Sequence, residues 1–402
     1  MLKTVKTPQG KFINDRRGPV RNLGTYSNVI NDRSLYDILF STTEMNFVDK
    51  AAYPDVAEME QETVRFLLNL AENDGSGVGF ATTGSSEAIV LALAWHKVNF
   101  LNNHPQKKDH QLNYVVNEGY HKAFDKFATL FGVELRKAPL GDDLRIDVVE
   151  AEKLIDENTF CIVGIAGSTE IGMIDDIKSL NELAMKHDIA VHVDAAIGGY
   201  ILPFKKDAPA WNFALPAVKT INISAHKYGL CLPGIGFLLV RDQSVIPAQY
   251  TGDIAYLAGG GVNDNALSCS RNAAFVINAH HNMLLYGKQG YTDITSQNYK
   301  TAKYLADNLK KIKGIDYVSL GDVPVVLFSG EDIHGLSNYL SQDGWIQSPH
   351  YIRAIKRHCV RVVVRKHLTE ETMSELLDTM RAYQTQEKVQ PQVSVQSILS
   401  VA

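Results

Sequence analysis

Lys227 stands out for what surrounds it. A short β-branched run, Thr220 to Ile223, reads as a buried strand that delivers Ser224, Ala225, His226 and Lys227 into a turn rich in Gly and Pro (Gly229, Pro233, Gly234, Gly236). A lysine at the mouth of a strand can reach a ligand, and where it is desolvated its neutral amine can form a Schiff base. A lone His-Lys pair is more commonly a solvated loop, because lysines are mostly exposed. Two other stretches change that balance.

The first is IAVHVDAAIGGY, in which Asp194 directly follows a strand-like run and precedes two alanines and two glycines. An acid there has a flat, uncrowded neighbourhood, and burying it without a cationic partner is costly. A metal ion or a helix end would serve as partner, and so would a protonated pyridine nitrogen. The second stretch, Thr83-Gly84-Ser85-Ser86, stands between a short strand and a long apolar helix starting near Glu87. Free N–H groups and hydroxyls at a helix N-terminus bind anions, most often phosphate, although plain N-capping by Ser85 or Ser86 would look the same. An amine for an aldehyde, an acid for a ring nitrogen and a cup for a phosphate are the three handles of pyridoxal 5'-phosphate. Few other cofactors have all three.

These residues need elements to bring them together. Strand-like runs at 113–117, 133–139, 160–167, 189–196 and 219–224 alternate with helical runs at 122–131 and 175–187. Near-continuous apolar strands separated by helices predict an α/β fold with a mostly parallel sheet covered on both faces. Ligands on such sheets sit beyond the strand C-terminal ends, where Thr169, Asp194 and Lys227 all fall. We expect an N-terminal segment (1–55) made largely of surface loops, a large domain (56–290), a small C-terminal α+β domain (291–385) and a loosely held tail (386–402). A helix from about Ala57 to Leu70 opens the large domain. Another, Asn272 to Tyr286, leads out of it, and a separate one, Ser296 to Ile312, opens the small domain.

Composition narrows the class. The 402 residues are 45% hydrophobic and 21% charged with net charge −5, which suits a globular protein and gives no nucleic-acid or membrane footprint. Four scattered cysteines without a CxxC pair suit a reducing compartment and no metal site. No signal-peptide core appears at the N-terminus, and the longest apolar run, Ala88 to Trp95, is too short to span a bilayer. The expected location is cytoplasmic.

The motifs TTGSSEA, HVDAAIGGY, SAHKYG, QGYT and FDKFATLFGVELR resemble those of the group II pyridoxal-phosphate decarboxylases, glutamate decarboxylases in particular, over about Arg21 to Tyr383. The resemblance implies the fold type I architecture with a seven-stranded sheet, pyridoxal 5'-phosphate as cofactor, an amino acid substrate and a homodimer. Lys227 would hold the cofactor aldehyde, Asp194 would pair with the ring nitrogen, and Ala196 would pack on the ring with His121 on the other face. Ser85, Ser86, Ser224 and His226 would bind the phosphate, joined by Ser270 from the partner subunit. Thr169 would contact the ring hydroxyl or the substrate. Arg361 would bind the α-carboxylate, a task suited to a planar, bidentate donor. Tyr256, in a glycine-rich loop, resembles the tyrosine that protonates Cα.

Thr25-Tyr26 and Asn46 with Asp49 keep the spacing of the elements that bind a distal carboxylate in the glutamate enzymes, which favours a short acidic substrate, glutamate or aspartate. Two departures keep an aromatic, tyrosine-like substrate open. Histidine at 121 is typical of the aromatic, histidine and aspartate enzymes, and Tyr26 stands where a phenylalanine is usual. GIAGSTEIGMIDDI is equally similar to archaeal tyrosine/aspartate decarboxylases. A carbon–carbon lyase resembling sphingosine phosphate lyase, or a non-catalytic cofactor-binding relative, would carry several of the same motifs.

Overall fold

Seven strands form the sheet on which the molecule is built. The computed structural model describes residues 21–27, 33–251 and 265–385, with two short pieces, 5–6 and 12–13, that pair as a ribbon. In chain order the large sheet uses Val78–Thr82 (β1), Asn113–Asn117 (β2), Glu134–Ala138 (β3), Thr159–Ile165 (β4), Ala190–Asp194 (β5), Val218–Ile223 (β6) and Gly236–Val240 (β7). Their spatial order is β1-β7-β6-β5-β4-β2-β3. Only β7 is antiparallel to its neighbours, so the sheet is mostly parallel, as expected. Every residue of β4, TFCIVGI, is buried, the mark of a strand covered on both faces.

The antiparallel turn back from β6 to β7 matters most for the site. The GIGF segment reads as turn in the sequence but begins a strand at Gly236, so residues 224–235 are confined to a tight connection at the sheet edge. His226 and Lys227 sit in that connection. Because β1 lies antiparallel to β7, its C-terminal end reaches the same edge, where Thr82 pairs with Gly236. The C-terminal ends of all six parallel strands therefore meet on one edge.

Helices Pro54–Leu70 (α2), Ser85–Asn103 (α3), Ala123–Phe131 (α4), Val148–Lys153 (α5) and Ile177–His187 (α6) cover the sheet. Ala88, Ala92 and Ala94 let α3 lie close on the strands, and its buried side is extended by Ile89, Leu93 and Trp95. Asp176 caps α6 by accepting from Ser179 N at 3.1 Å, and Asp188 ends it in the left-handed region.

One expectation about helices needs correction. Residues 33–42 form a helix (α1, Arg33–Thr42) where the sequence reads as surface loop. Its signal is only Leu35 and Leu39, one turn apart, which bury against Ala274. Across 272–312, as expected, two helical segments follow one another; they meet at the non-helical Gly287 (φ +52°), and the whole of Ala274–Leu309 is labelled α7.

A second, antiparallel sheet follows: Ile315–Leu320 (β8), Val325–Gly330 (β9), His350–Ile352 (β10) and Arg357–Val363 (β11), in order β8-β9-β11-β10. Ile333–Gln342 (α8) and Glu370–Thr385 (α9) pack on it around Leu336, Leu340, Trp345, Met373 and Leu377. No helix among the described residues is long and apolar enough to cross a membrane. Tyr256, Gly252 and Gly259 to Gly261 lie outside the described residues, as does the 386–402 tail.

Candidate active site

A cavity of about 160 Å³ opens at the shared edge of the parallel strands. Ser85, Ser86, His121, Thr169, Asp194, Ala196, Ser224, His226 and Lys227 all line it. They arrive from the ends of five strands, which is why the chain scatters them so widely.

The end formed by α3 is built for an anion. Gly84 occupies the N-cap with no side-chain cap, so neither serine ties up the first-turn N–H groups. Its φ of +146° suits glycine, and an added Cβ would come within 3.2 Å of His226 Cε1. Ser224 Oγ donates to Ser85 Oγ at 2.7 Å, and His226 Nδ1 donates to the Ile235 carbonyl at 2.8 Å. Glu87, which sequence reading passed over, braces this loop. Its Oε2 accepts from Thr83 N and Oγ1 at 2.7 and 2.6 Å, while Oε1 accepts from Leu267 N and Ser268 N at 2.8 and 3.1 Å. An acid in the first turn of TTGSSEA was the available signal.

Across the cavity, Asp194 Oδ1 accepts from Ala196 N (3.0 Å) and from Asn222 Nδ2 (2.8 Å). Its other oxygen accepts no hydrogen bond among the described residues and is left for a cationic donor. Burial pushes the Lys227 amine down to about 8, with Asp194 opposing the shift and Arg361 adding to it. His121 is likewise shifted down by burial, against the pull of Asp194. Its Nδ1 accepts from Ala123 N at 3.2 Å, so a neutral ring carries its proton on Nε2.

Arg361 of β11, half-buried, comes from the second sheet to the cavity-lining Thr169. Nη1 donates to the Thr169 carbonyl (2.5 Å) and Nη2 to the Gly24 carbonyl (2.6 Å), while Nε is buried without a hydrogen-bond partner among the described residues. Tyr26 stands between the two cations, with Lys227 Nζ 5.3 Å and Arg361 Cζ 5.1 Å from its ring centre. The Tyr26 hydroxyl donates to Thr169 O at 3.0 Å and is pushed up to about 12 by burial. A second cavity of about 420 Å³ shares His121 and Thr169 with the first and extends to Tyr351 and Arg353.

The remaining expected residues lie elsewhere in this chain. Asn46 Nδ2 donates to Ser270 Oγ at 3.1 Å, both exposed, and Asn46 Oδ1 accepts from Arg271 N at 3.1 Å. Asp49 accepts from Ala52 N in its own turn. Thr25 is exposed, and its carbonyl accepts from the buried Arg365. None of the four lines the cavity.

A doubly covered, mostly parallel sheet with a lysine, an acid and a helix-end cup at one edge defines a pyridoxal-phosphate enzyme of fold type I. Residues 26–330 match the pyridoxal-dependent decarboxylase conserved domain, and the chain belongs to that family. It is 31% identical over 388 residues to a probable glutamate decarboxylase gamma of Listeria innocua, covering 90% of this chain and 83% of that one. It is also 31% identical to a glutamate decarboxylase of Solanum lycopersicum, over 93% of this chain and 78% of the relative. Among solved structures, a Lactobacillus brevis glutamate decarboxylase superposes with TM-score 0.87 at 28% identity, over 92% and 89% of the two chains. A sphingosine-1-phosphate lyase from Burkholderia pseudomallei, at 22% identity and TM-score 0.78, shares the fold. The chain is a pyridoxal-phosphate-dependent decarboxylase.

Proposed function

We propose that this enzyme removes the α-carboxylate of a short acidic L-amino acid, glutamate first and aspartate second, releasing CO2 and the amine. The observation that carries the reading is the meeting of Lys227 and Asp194 in one cavity, with the half-buried Arg361 bonded to the carbonyl of Thr169 on its wall. The glutamate decarboxylases among its relatives support the choice of substrate.

The geometry supports a role for each residue. Lys227, its amine lowered to about 8 by burial, would hold the cofactor aldehyde. The free oxygen of Asp194 would pair with the ring nitrogen, and the uncapped α3 terminus with Ser85, Ser86, Ser224 and His226 would take the phosphate. Ala196 and His121 would pack against the ring, and Thr169 would meet the ring hydroxyl or the substrate. Pyridoxal phosphate supplies the electron sink for the pair left behind as CO2 departs. Arg361 grips the departing carboxylate through its fork and orients the bond that breaks. Tyr256 is the candidate to return a proton to Cα.

Tyr26 and Thr25 from one chain, with Asn46 and Asp49 from its partner, would recognise the distal carboxylate. Asn46 and Ser270 pair on an exposed surface away from this chain's own cavity, which supports contribution to a neighbouring subunit in a homodimer. Sedimentation of the holoenzyme should give a dimer whose dissociation abolishes activity; a fully active monomer would refute the shared site. An aromatic substrate is the second reading, favoured by His121 and by the hydroxyl of Tyr26.

The test is CO2 release from glutamate, aspartate, tyrosine, histidine and cysteine sulfinate, with Arg361→Ala beside the parent enzyme. We expect glutamate or aspartate to lead, and Arg361→Ala to lose about 100-fold or more in kcat/KM while keeping the cofactor's visible absorbance. Tyrosine in first place would transfer the assignment to the second reading, and an unimpaired Arg361→Ala would remove Arg361 from carboxylate binding.

A further inference from the structure

Asp194 is tied to a line of buried polar side chains that no step above uses. His192 and Asp194 alternate on β5, with Thr220 and Asn222 in register beside them on β6. Two-residue spacing puts each pair on one face of the sheet. His96 of α3 reaches that face. His96 Nε2 and His192 Nδ1 both bond the Thr220 hydroxyl, at 2.7 and 2.8 Å, and Asn222 Nδ2 donates to Asp194 Oδ1 at 2.8 Å. All five side chains are buried.

Two atoms in this line have no hydrogen-bond partner among the described residues: His192 Nε2 and Asn222 Oδ1. The residues lie close enough for Asn222 to favour protonation of His192, although their geometry falls short of a hydrogen bond. One arrangement of protons suits every group. A carboxylate only accepts, so Asn222 turns its NH2 to Asp194 and its Oδ1 away. That oxygen needs a donor, which His192 supplies when its proton is on Nε2. His192 Nδ1 then accepts from the Thr220 hydroxyl, whose oxygen accepts from His96 Nε2–H. Every donor in the line then points toward Asp194.

We propose that His96, Thr220, His192 and Asn222 form a one-directional line of aligned polar groups that holds Asp194 aimed at the cofactor's ring nitrogen. His192 is thus a positioning residue for the ring. Burial holds both histidines neutral, His192 at about 4 and His96 at about 3, so the line carries aligned dipoles with no competing positive charge. The inference rests on the reading that Asp194 faces the ring nitrogen.

The test uses holoenzyme reconstituted with pyridoxal phosphate carrying nitrogen-15 in the ring. In the parent enzyme the ring signal should be that of a protonated pyridine. In His192→Phe it should move toward the unprotonated position, and cofactor affinity should fall about tenfold, the scale of one buried polar group left unpaired. The visible absorbance from the Lys227 link should still form. His192→Gln, which keeps one donor and one acceptor, should restore both readouts in large part. If His192→Phe does not fold, Thr220→Val breaks the line one bond further out and should shift the signal the same way, by less. An unchanged ring signal and affinity in the folded variant would overturn the inference and reduce the cluster to packing. A ring already unprotonated in the parent enzyme would instead overturn the role of Asp194 itself.

Discussion

Lys227 illustrates how a site residue is tuned by what is taken away from it. Its amine is stripped of water and faces Arg361, and the nearby Asp194 does not fully compensate. The folded amine gives up its proton near 8, the unfolded one near 10.5, so between those values the folded chain binds fewer protons. Stability of the cofactor-free protein should therefore rise with pH across that window, and the full penalty of the buried ammonium is present below about 8. Lys227→Met should accordingly be the more stable protein at neutral pH, by something on the order of 1–3 kcal/mol, with the difference narrowing in alkali. Urea unfolding of both proteins at neutral and alkaline pH checks this, and a constant difference across pH would contradict the desolvation argument.

At the scale of elements, the proposed phosphate loop is held by Glu87 as well as by its own backbone. One buried carboxylate accepts four hydrogen bonds, two from the loop ahead of α3 and two from residues 267–268, far along the chain. Glutamine at this position would turn an NH2 toward one of those pairs of donors and break it. Glu87→Gln should weaken cofactor binding about five- to tenfold, as expected for one or two lost buried hydrogen bonds. It should also speed hydrogen exchange at Leu267 and Ser268. Slow exchange preserved in the variant would show that the 265–271 segment is held by other contacts. The loop was legible in the sequence as a helix start, but its brace was not, because the carboxylate's second pair of donors comes from residues 180 and 181 positions away.

For the whole molecule, the decisive seam lies between the two sheets. Asp322, in the turn from β8 to β9, accepts from Arg145 Nη2 at 2.7 Å and from Ile174 N at 2.9 Å. Its carbonyl accepts from Lys205 Nζ at 3.1 Å and from the Tyr299 hydroxyl. Tyr228, next to the site lysine, adds a bond from its hydroxyl to the Val364 carbonyl at 3.0 Å. These contacts tie the second sheet, and with it Arg361 of β11, to the elements around the cavity. Asp322→Ala should cost about 2 kcal/mol in stability and raise KM for the amino acid more than it changes cofactor affinity. A thermal melt and a comparison of KM with the cofactor dissociation constant would test it; equal effects on both would mean the seam does not act on Arg361.

Strand-end chemistry was readable along the chain because β-strands and turns are written in short windows: KTINIS into SAHKYG, AVHVD into AAIGG, VGFAT into TGSS. Hydrophobic runs and glycines determine where a strand stops, and on a mostly parallel sheet those stops share an edge. Local pattern does not determine which strand lies beside which. The antiparallel insertion of β7 brings α3's N-terminus next to the loop of Lys227, and it follows from packing across the sheet. The same holds for Tyr26 between Lys227 and Arg361, three residues scattered along the chain and joined by burial and cation–π attraction. Helix α1, at ten residues, is too short for its periodicity to stand out, and it owes its place to an apolar seat on α7. Residue types and local spacing thus carried the chemistry, while long-range burial decided where each charge would sit relative to the others.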